Sequence, residues 1–503
     1  MTVRARRAED PLPRFAVRGV GVVVVVQTAV LTALSGRYGF HRDELYFLAA
    51  GDRLAWGYVD QPPLTPVLVR LAAELFGATE PGVRVVSTVM AAATIALVAL
   101  IARELGGAGA AQTFAAFTAA VSALVLVVGH MVSTTTVDLL LWLVVALLLI
   151  RLLRTGDQRW WLAVGAAVGV ALLNKWLVLL LVFAVGLALL LVGPRSVLRG
   201  RLPVAGAGVA LVIAAPALVW QARHGFPLLT VAGGISADDG TENRIMFVPL
   251  QIAYLSPVLV PVWIAGMVRL WRERGPRSPR ALALAYPLLV AVLLVVGGKP
   301  YYSIPLLLVL LAAGAEPTVN WLDRGRKTAR RIAVSLPAVL ACAGSVVVAL
   351  PVLPVAVLDG PVLAMNKEQG EQVGWPEFVA TVAEVWRTIP ADSKETATIF
   401  TANYGQAGAI EQHGSAHGLP VPYSGHMSYA DWGPPPDRRD GPVVLVGAAP
   451  GGRVASAFTG CELAAVHHTP GGVGNDEDGT AIMLCAGTTR PWSSMWPSLR
   501  HFY

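Results

Sequence analysis

The chain has 503 residues, of which 55% are hydrophobic and 14% charged, and its mean hydropathy is +0.60. Soluble domains carry roughly 25% charged residues, so this composition fits lipid as the solvent. The net charge of +7 and the pI near 9.5 come from short arginine clusters between apolar runs, not from one basic face, which argues against a nucleic-acid partner and for a topology signal.

In chain order, Arg4, Arg6, Arg7, Arg14 and Arg18 precede an apolar stretch from Gly19 to Gly36. It is long for a signal-peptide core and lacks a small-residue cleavage site, so it is expected to remain as the first span, 19–36. Further apolar runs predict spans near 83–102, 111–129, 136–153, 160–174, 176–193, 202–220, 247–270, 281–297, 302–320 and 332–358. That makes about eleven crossings of a hydrocarbon core roughly 30 Å thick. Spans three and four, and five and six, read as tight hairpins, and Pro305 and Glu316 interrupt the tenth span.

Basic residues in short loops stay in the cytoplasm. With the amino terminus inside, the inner loops hold Arg103, then Arg151, Arg154 and Arg159, then Arg195, Arg199 and Arg201, then Arg269, Arg272, Arg274, Arg277 and Arg280, and finally Arg324, Arg326, Lys327, Arg330 and Arg331. Eleven crossings leave the tail after Leu358 outside. The tail has soluble composition, strand-like runs at 398–401, 443–446 and 481–485, and a helix-like stretch around 378–387. The expected fold is an α-helical polytopic membrane protein, with a membrane domain over 1–358 and an extracytoplasmic α/β domain over 359–503. Cys342, Cys461 and Cys485 have no metal-like spacing. Cys461 and Cys485 would lie outside, where a disulfide is allowed and two free thiols are the alternative.

Ionisable groups at membrane depth are paired, solvated in a cavity, or functional. Asp43 and Glu44 follow the first span in His41-Arg42-Asp43-Glu44-Leu45-Tyr46, and Asp60 follows in Asp60-Gln61-Pro62-Pro63-Leu64. Asp138 lies at the turn after span three, Lys175 at the turn after span five, His224 after span seven, and Lys299-Pro300-Tyr301-Tyr302 after span nine. Each comes after an odd-numbered crossing, so all share the outer side. A cavity collecting them would offer a base for a hydroxyl, cations for a phosphate and aromatic faces for a sugar. Each has a plainer reading as well. Glu44 and Arg42 can form an interfacial ion pair, Asp138 can cap a helix, Lys175 and Lys299 can snorkel, Tyr301 and Tyr302 can belong to an aromatic belt, and His224 can be structural.

Asp43-Glu44-Leu45-Tyr46, Pro62-Pro63-Leu64, Asp138 after a Thr-rich turn, Leu173-Asn174-Lys175 and Lys299-Pro300-Tyr301-Tyr302-Ser303-Ile304-Pro305 together resemble the bacterial glycosyltransferase family 39 and aminoarabinose-transferase group, over residues 15–320. These are GT-C enzymes related to protein O-mannosyltransferases. The resemblance implies transfer of a sugar, with inversion, from a polyprenyl-phosphate donor in the bacterial inner membrane to an extracytoplasmic acceptor, whether protein, glycan, lipid or natural product. It makes Asp43 the catalytic carboxylate and Asp138 a second acidic site residue, and turns Lys175, Lys299, Tyr301 and Tyr302 toward the donor. Glu44 would support the loop. Gln61 stands where the aminoarabinose transferases carry a lysine, so Arg42 or Lys299 would have to substitute. The resemblance implies no definite cofactor; Asp60 and His224 could share a divalent ion as in that subgroup, although two ligands fall short of a catalytic zinc site. The segment Asn403-Tyr404-Gly405-Gln406-Ala407-Gly408-Ala409-Ile410 looks like the outer tail of some members and has no legible role. A transporter or lipid-sugar flippase is the alternative function, but it would place its charges near the membrane midplane.

Overall fold

Apolar periodicity turns most of the first 350 positions into helix. In chain order these are α1 (Val17–Leu34), α2 (Arg42–Asp52), α3 (Leu64–Phe76), α4 (Glu80–Val83), α5 (Val85–Glu104), α6 (Gly109–Ala120), α7 (Ala123–His130), α8 (Thr134–Thr155), α9 (Trp160–Leu172), α10 (Val178–Val192) and α11 (Leu202–Arg223). Then come α12 (Pro227–Asp238), α13 (Gly240–Leu255), α14 (Val260–Arg272), α15 (Arg280–Val296), α16 (Ile304–Leu322) and α17 (Lys327–Ala349). The computed structural model describes residues 12–275, 278–325, 327–358 and 360–502. Arg4, Arg6, Arg7, Arg277, Arg326 and the boundary residue Asp359 lie outside the described residues.

Among the described residues, six helices are long and apolar enough to cross a membrane, and two bent pairs, α6 with α7 and α13 with α14, bring the number to eight. The shorter apolar helices α9, α10 and α15 complete the eleven apolar segments expected from the sequence. The bends are new. The α13–α14 pair turns by 85° where Ser256 takes φ of +105° ahead of Pro257, a residue whose ring disfavours helix in the position before it. The α6–α7 pair turns by 63° around Ser122.

Two expectations are corrected. Asp138 does not cap a helix: Ser133 caps α8, its hydroxyl accepting from the Thr136 amide at 3.3 Å, and Asp138 lies inside the helix. Nor is the tenth span interrupted, since Pro305 sits in the first turn of α16, where no amide is needed, and Glu316 accepts a hydrogen bond from the Ala108 amide at 2.8 Å.

The stretch between the first two spans forms α2 and α3 instead of a loop. The carboxy-terminal region adds α18 (Pro361–Met365), a 3-10 turn at Lys367–Gln372, α19 (Trp375–Thr388), α20 (Tyr404–His413), α21 (Met427–Asp431) and α22 (Trp492–Leu499). Its strands are β1 (Thr398–Thr401), β2 (Tyr423–Ser424), β3 (Val443–Val446), β4 (Phe458–Thr459), β5 (Glu462–Val466), β6 (Ala481–Cys485) and β7 (Gly487–Thr488). Five of them form one sheet in the order β2-β1-β3-β6-β5, parallel on the β1 side and antiparallel from β3 onward. Strands β1, β3 and β6 fall on the three expected runs, and a Cys461–Cys485 disulfide ties the edge of the sheet.

This sheet does not keep a core to itself. Leu45, Tyr46 and Phe47 of α2 and Val69 of α3 pack in one apolar cluster with Trp375, Phe378, Ile399, Val444 and Ile482. Burying an apolar side chain of this size contributes about 1.5–3 kcal/mol, so the carboxy-terminal region helps to hold α2 in place.

Candidate active site

The start of α2 is set by its own sequence. His41 caps it, with Nδ1 accepting from the Asp43 amide, while the Glu44 carboxylate reaches back to the His41 amide at 2.9 Å. The capping box sends the two neighbouring acids in different directions. Glu44 is fully buried; its carboxylate meets the Arg84 guanidinium at 2.8 and 3.1 Å and accepts from the Val132 amide at 2.9 Å. Its ion-pair partner is therefore Arg84, not Arg42. Asp43 keeps a third of its side chain exposed and accepts a hydrogen bond from Tyr404 Oη at 2.8 Å.

A second fixed point lies at the Pro62-Pro63-Leu64 turn. The Leu64 amide donates to the Leu173 carbonyl at 2.9 Å, Thr65 Oγ1 to Asn174 Oδ1 at 2.7 Å, and Asn174 Nδ2 to the Thr134 carbonyl at 2.8 Å. One buried asparagine thus braces the start of α3, the end of α9 and the start of α8. The three residues it anchors beside, Asp60, Lys175 and Asp138, lie far apart in sequence. Lys175 interacts electrostatically with both carboxylates, and Asp60 interacts with Asp43 as well. The Lys175 ammonium lies 4.9 Å from the centre of the Tyr302 ring and 6.0 Å from that of Tyr301, a cation–π arrangement.

Asp60 accepts from Tyr46 Oη at 2.6 Å, and that oxygen is 2.7 Å from Ser428 Oγ. Burial pushes the Asp60 carboxyl up to about 6, against the opposing effect of the Tyr46 hydrogen bond. Burial, and after it the Asp43 charge, raises the Tyr404 phenol well above its usual range, so it stays protonated and donates. Two polar groups in this region, the Gln61 side-chain amide and Asp138 Oδ1, are buried without a hydrogen-bond partner among the described residues. Such groups are rare in folded proteins, and each calls for a partner such as a bound water or ligand.

The other expected site residues are already engaged. Arg42 pairs with Asp476 and lies 3.6 Å from Glu371, and Lys299 lies 3.6 Å from Asp239. His224 stacks on Trp220 with ring centres 3.9 Å apart and turns Nδ1 toward the Trp220 carbonyl. Among the described residues no group of three or more His, Cys, Asp or Glu could hold a metal ion. No chemical step is therefore assigned to a metal here. Residues that the sequence reading did not single out complete the site: Tyr46, Arg84, Glu371, Tyr404, Ser428 and Asp476. The glycine spacing of Gly405 and Gly408 was the available signal for Tyr404, because small residues one turn apart mark a close helix contact.

Residues 60–220 match the family model described as dolichyl-phosphate-mannose-protein mannosyltransferase, a stretch that contains Asp60, Asp138 and Lys175. No curated protein matches the chain. Among solved structures, ArnT from Cupriavidus metallidurans bound to undecaprenyl phosphate aligns with a TM-score of 0.62 at 15% identity, covering 93% of this chain and 98% of that one. The same protein in the apo state gives 0.58 at 14%, with the same coverage. The arabinofuranosyltransferase AftD from Mycobacteria gives 0.50 at 17%, covering 96% of this chain and 42% of that one. The fold is that of the GT-C membrane glycosyltransferases, and the resemblance to enzymes related to protein O-mannosyltransferases, read from the sequence, holds.

Proposed function

We propose that the protein moves a sugar from a polyprenyl-phosphate carrier to an acceptor on the extracytoplasmic face of the membrane, with inversion at the sugar's anomeric carbon. The observation that carries this reading is the convergence of Asp43, Asp60, Asp138, Lys175 and Tyr302 at one end of the helix bundle. In the reaction an acceptor oxygen attacks the anomeric carbon, its proton passes to Asp43, and the bond from that carbon to the phosphate oxygen breaks, releasing polyprenyl phosphate. Lys175 faces the phosphate, where a cation stabilises the charge that grows as the bond breaks. Tyr301 and Tyr302 supply the aromatic faces, and Asp138 and Gln61 supply polar contacts for sugar hydroxyls. Arg42 and Lys299, already paired with carboxylates, stand at the rim. The undecaprenyl phosphate held by ArnT supports a carrier of this class.

The reading places the amino terminus on the cytoplasmic side of the bacterial inner membrane and residues 359–503 on the extracytoplasmic side, as a cover for the site. The Cys461–Cys485 disulfide supports that side, since such bonds persist in oxidising compartments. The test is transfer of radiolabel from synthetic polyprenyl-phosphate pentoses and hexoses to membrane extracts, run beside a liposome translocation assay. Label entering an acceptor supports the transferase; translocation of the intact sugar-lipid without transfer would replace it with a flippase.

A further inference from the structure

We infer that Tyr404 is a positioning residue for the Asp43 carboxylate, and that the glycine-lined contact of α20 on α2 is the device that sets it, so the carboxy-terminal region is a working part of the active site. The inference rests on the reading of Asp43 as the base.

Local sequence fixes where the phenol goes. Asn403 caps α20, accepting from the Gln406 amide at 2.8 Å, and its own amide nitrogen donates to the buried Glu477 at 3.1 Å. Tyr404 is thereby the first residue of the helix. Gly405 and Gly408 then bring α20 against α2: a Cβ at Gly405 would stand 3.0 Å from Arg42 Cβ, and one at Gly408 would stand 2.9 Å from Leu45 Cβ and 3.0 Å from its carbonyl carbon. Any larger residue at position 408 has to push the helices apart.

The Tyr404 ring is gripped on two sides, by Tyr46 with centres 4.9 Å apart and by His426 at 5.1 Å, and His426 is itself stacked on His501 at 4.6 Å. A ring so held presents its hydroxyl in one place. There it donates to Asp43 Oδ1 and so fixes the carboxylate's rotation, with Oδ2, 4.0 Å from His41 Nδ1, as the oxygen to meet the acceptor's proton. Holding a reacting group in its productive geometry lowers the entropic part of the barrier. A neutral donor does this without matching the charge, whereas a guanidinium in the same place would form an ion pair and weaken the base.

The experiment uses the full chain in membranes, with radiolabelled polyprenyl-phosphate pentoses and hexoses as donors and membrane extract as acceptor. Tyr404→Phe keeps the ring stack and loses the donor; kcat should fall roughly 10- to 100-fold, the scale of one hydrogen bond to a charged group, with the donor KM and the melting temperature unchanged. Gly408→Val should lower kcat although Tyr404 is intact. In an Asp43→Asn background, Tyr404→Phe should cause no further loss. Wild-type kcat in Tyr404→Phe beside an inactive Asp43→Asn overturns the inference and leaves the base reading standing. A raised KM at unchanged kcat, or losses that add in the double variant, also overturns it. An active Asp43→Asn enzyme removes the base reading and the inference together.

Discussion

Helix α5 carries an ion pair at each end, and the two ends differ. At one end Glu104 meets Arg151 and Arg154, both at 2.9 Å, with Arg103 at 3.8 Å, so cations outnumber the single acid. At the other end the buried guanidinium of Arg84 is taken up by Glu44 and by the carbonyls of Ser35 and Gly39. Two further acids there, Asp43 and Asp60, accept hydrogen bonds from the hydroxyls of Tyr404 and Tyr46. A carboxylate matched by a guanidinium has its charge neutralised and serves to hold elements together. One held by a hydroxyl is oriented by a neutral donor and is not locked into an ion pair with it. Asp43 and Glu44 show the contrast within two consecutive residues.

The largest expected effect that would break this contrast belongs to Asp43. Asp43→Asn should lower kcat by roughly 10²–10⁴, the usual cost of losing a general base, at an unchanged melting temperature; near-normal turnover would move the base to Asp138 or Asp60. Glu44→Ala should do the reverse. Stranding Arg84 in a buried site costs about 3–5 kcal/mol, to be read as loss of folded protein and a lower midpoint in thermal melts of the detergent-solubilised chain.

A pH series sharpens the comparison further. The Asp60 carboxyl titrates near 6 in the fold against an ordinary value of 3.8, so its protonated form contributes stability at low pH that is lost as pH rises through that window. Asp60→Asn, which still accepts from Tyr46, should therefore melt like the wild type below pH 4 and at a higher temperature above pH 6, by a margin on the order of 3 kcal/mol at most. Equal melting at pH 8 would show that the buried charge costs nothing. The smallest effect is expected for Lys175→Ala, which should lower kcat/KM for the donor about tenfold through the loss of a charge-assisted contact and leave acceptor KM alone. An unchanged donor kcat/KM would return Lys175 to a snorkelling role.

How much of this was legible depended on range. Strands β1, β3 and β6 were readable because a short apolar run flanked by polar turns is a local signal, and the apolar segments were readable for the same reason. Loop arginines report orientation, and on that signal alone the carboxylates and Lys175 are expected to share one side. What stayed hidden was pairing over distance. Nothing near Asp43 announces a partner 361 residues away, and nothing near Glu44 distinguishes Arg42, two positions off, from Arg84, which is 40 positions away and takes the contact. The 85° turn at Ser256 was hidden for another reason: an apolar run reads as one span whether or not its backbone bends.

The shared apolar cluster of α2 with α19 and the sheet has a consequence for how the chain is made. Helix α2 leaves the ribosome early, yet roughly 320 residues separate its end from Trp375, which at about 5–20 residues per second leaves it uncovered for some tens of seconds. During that interval Leu45, Tyr46 and Phe47 have no permanent neighbours from the later part of the chain, and the start of the protein waits on its finish. A nascent chain stalled or clipped before β1 would thus carry every membrane segment and still present an open apolar face, a substrate for the cell's quality-control proteases and not a smaller working enzyme.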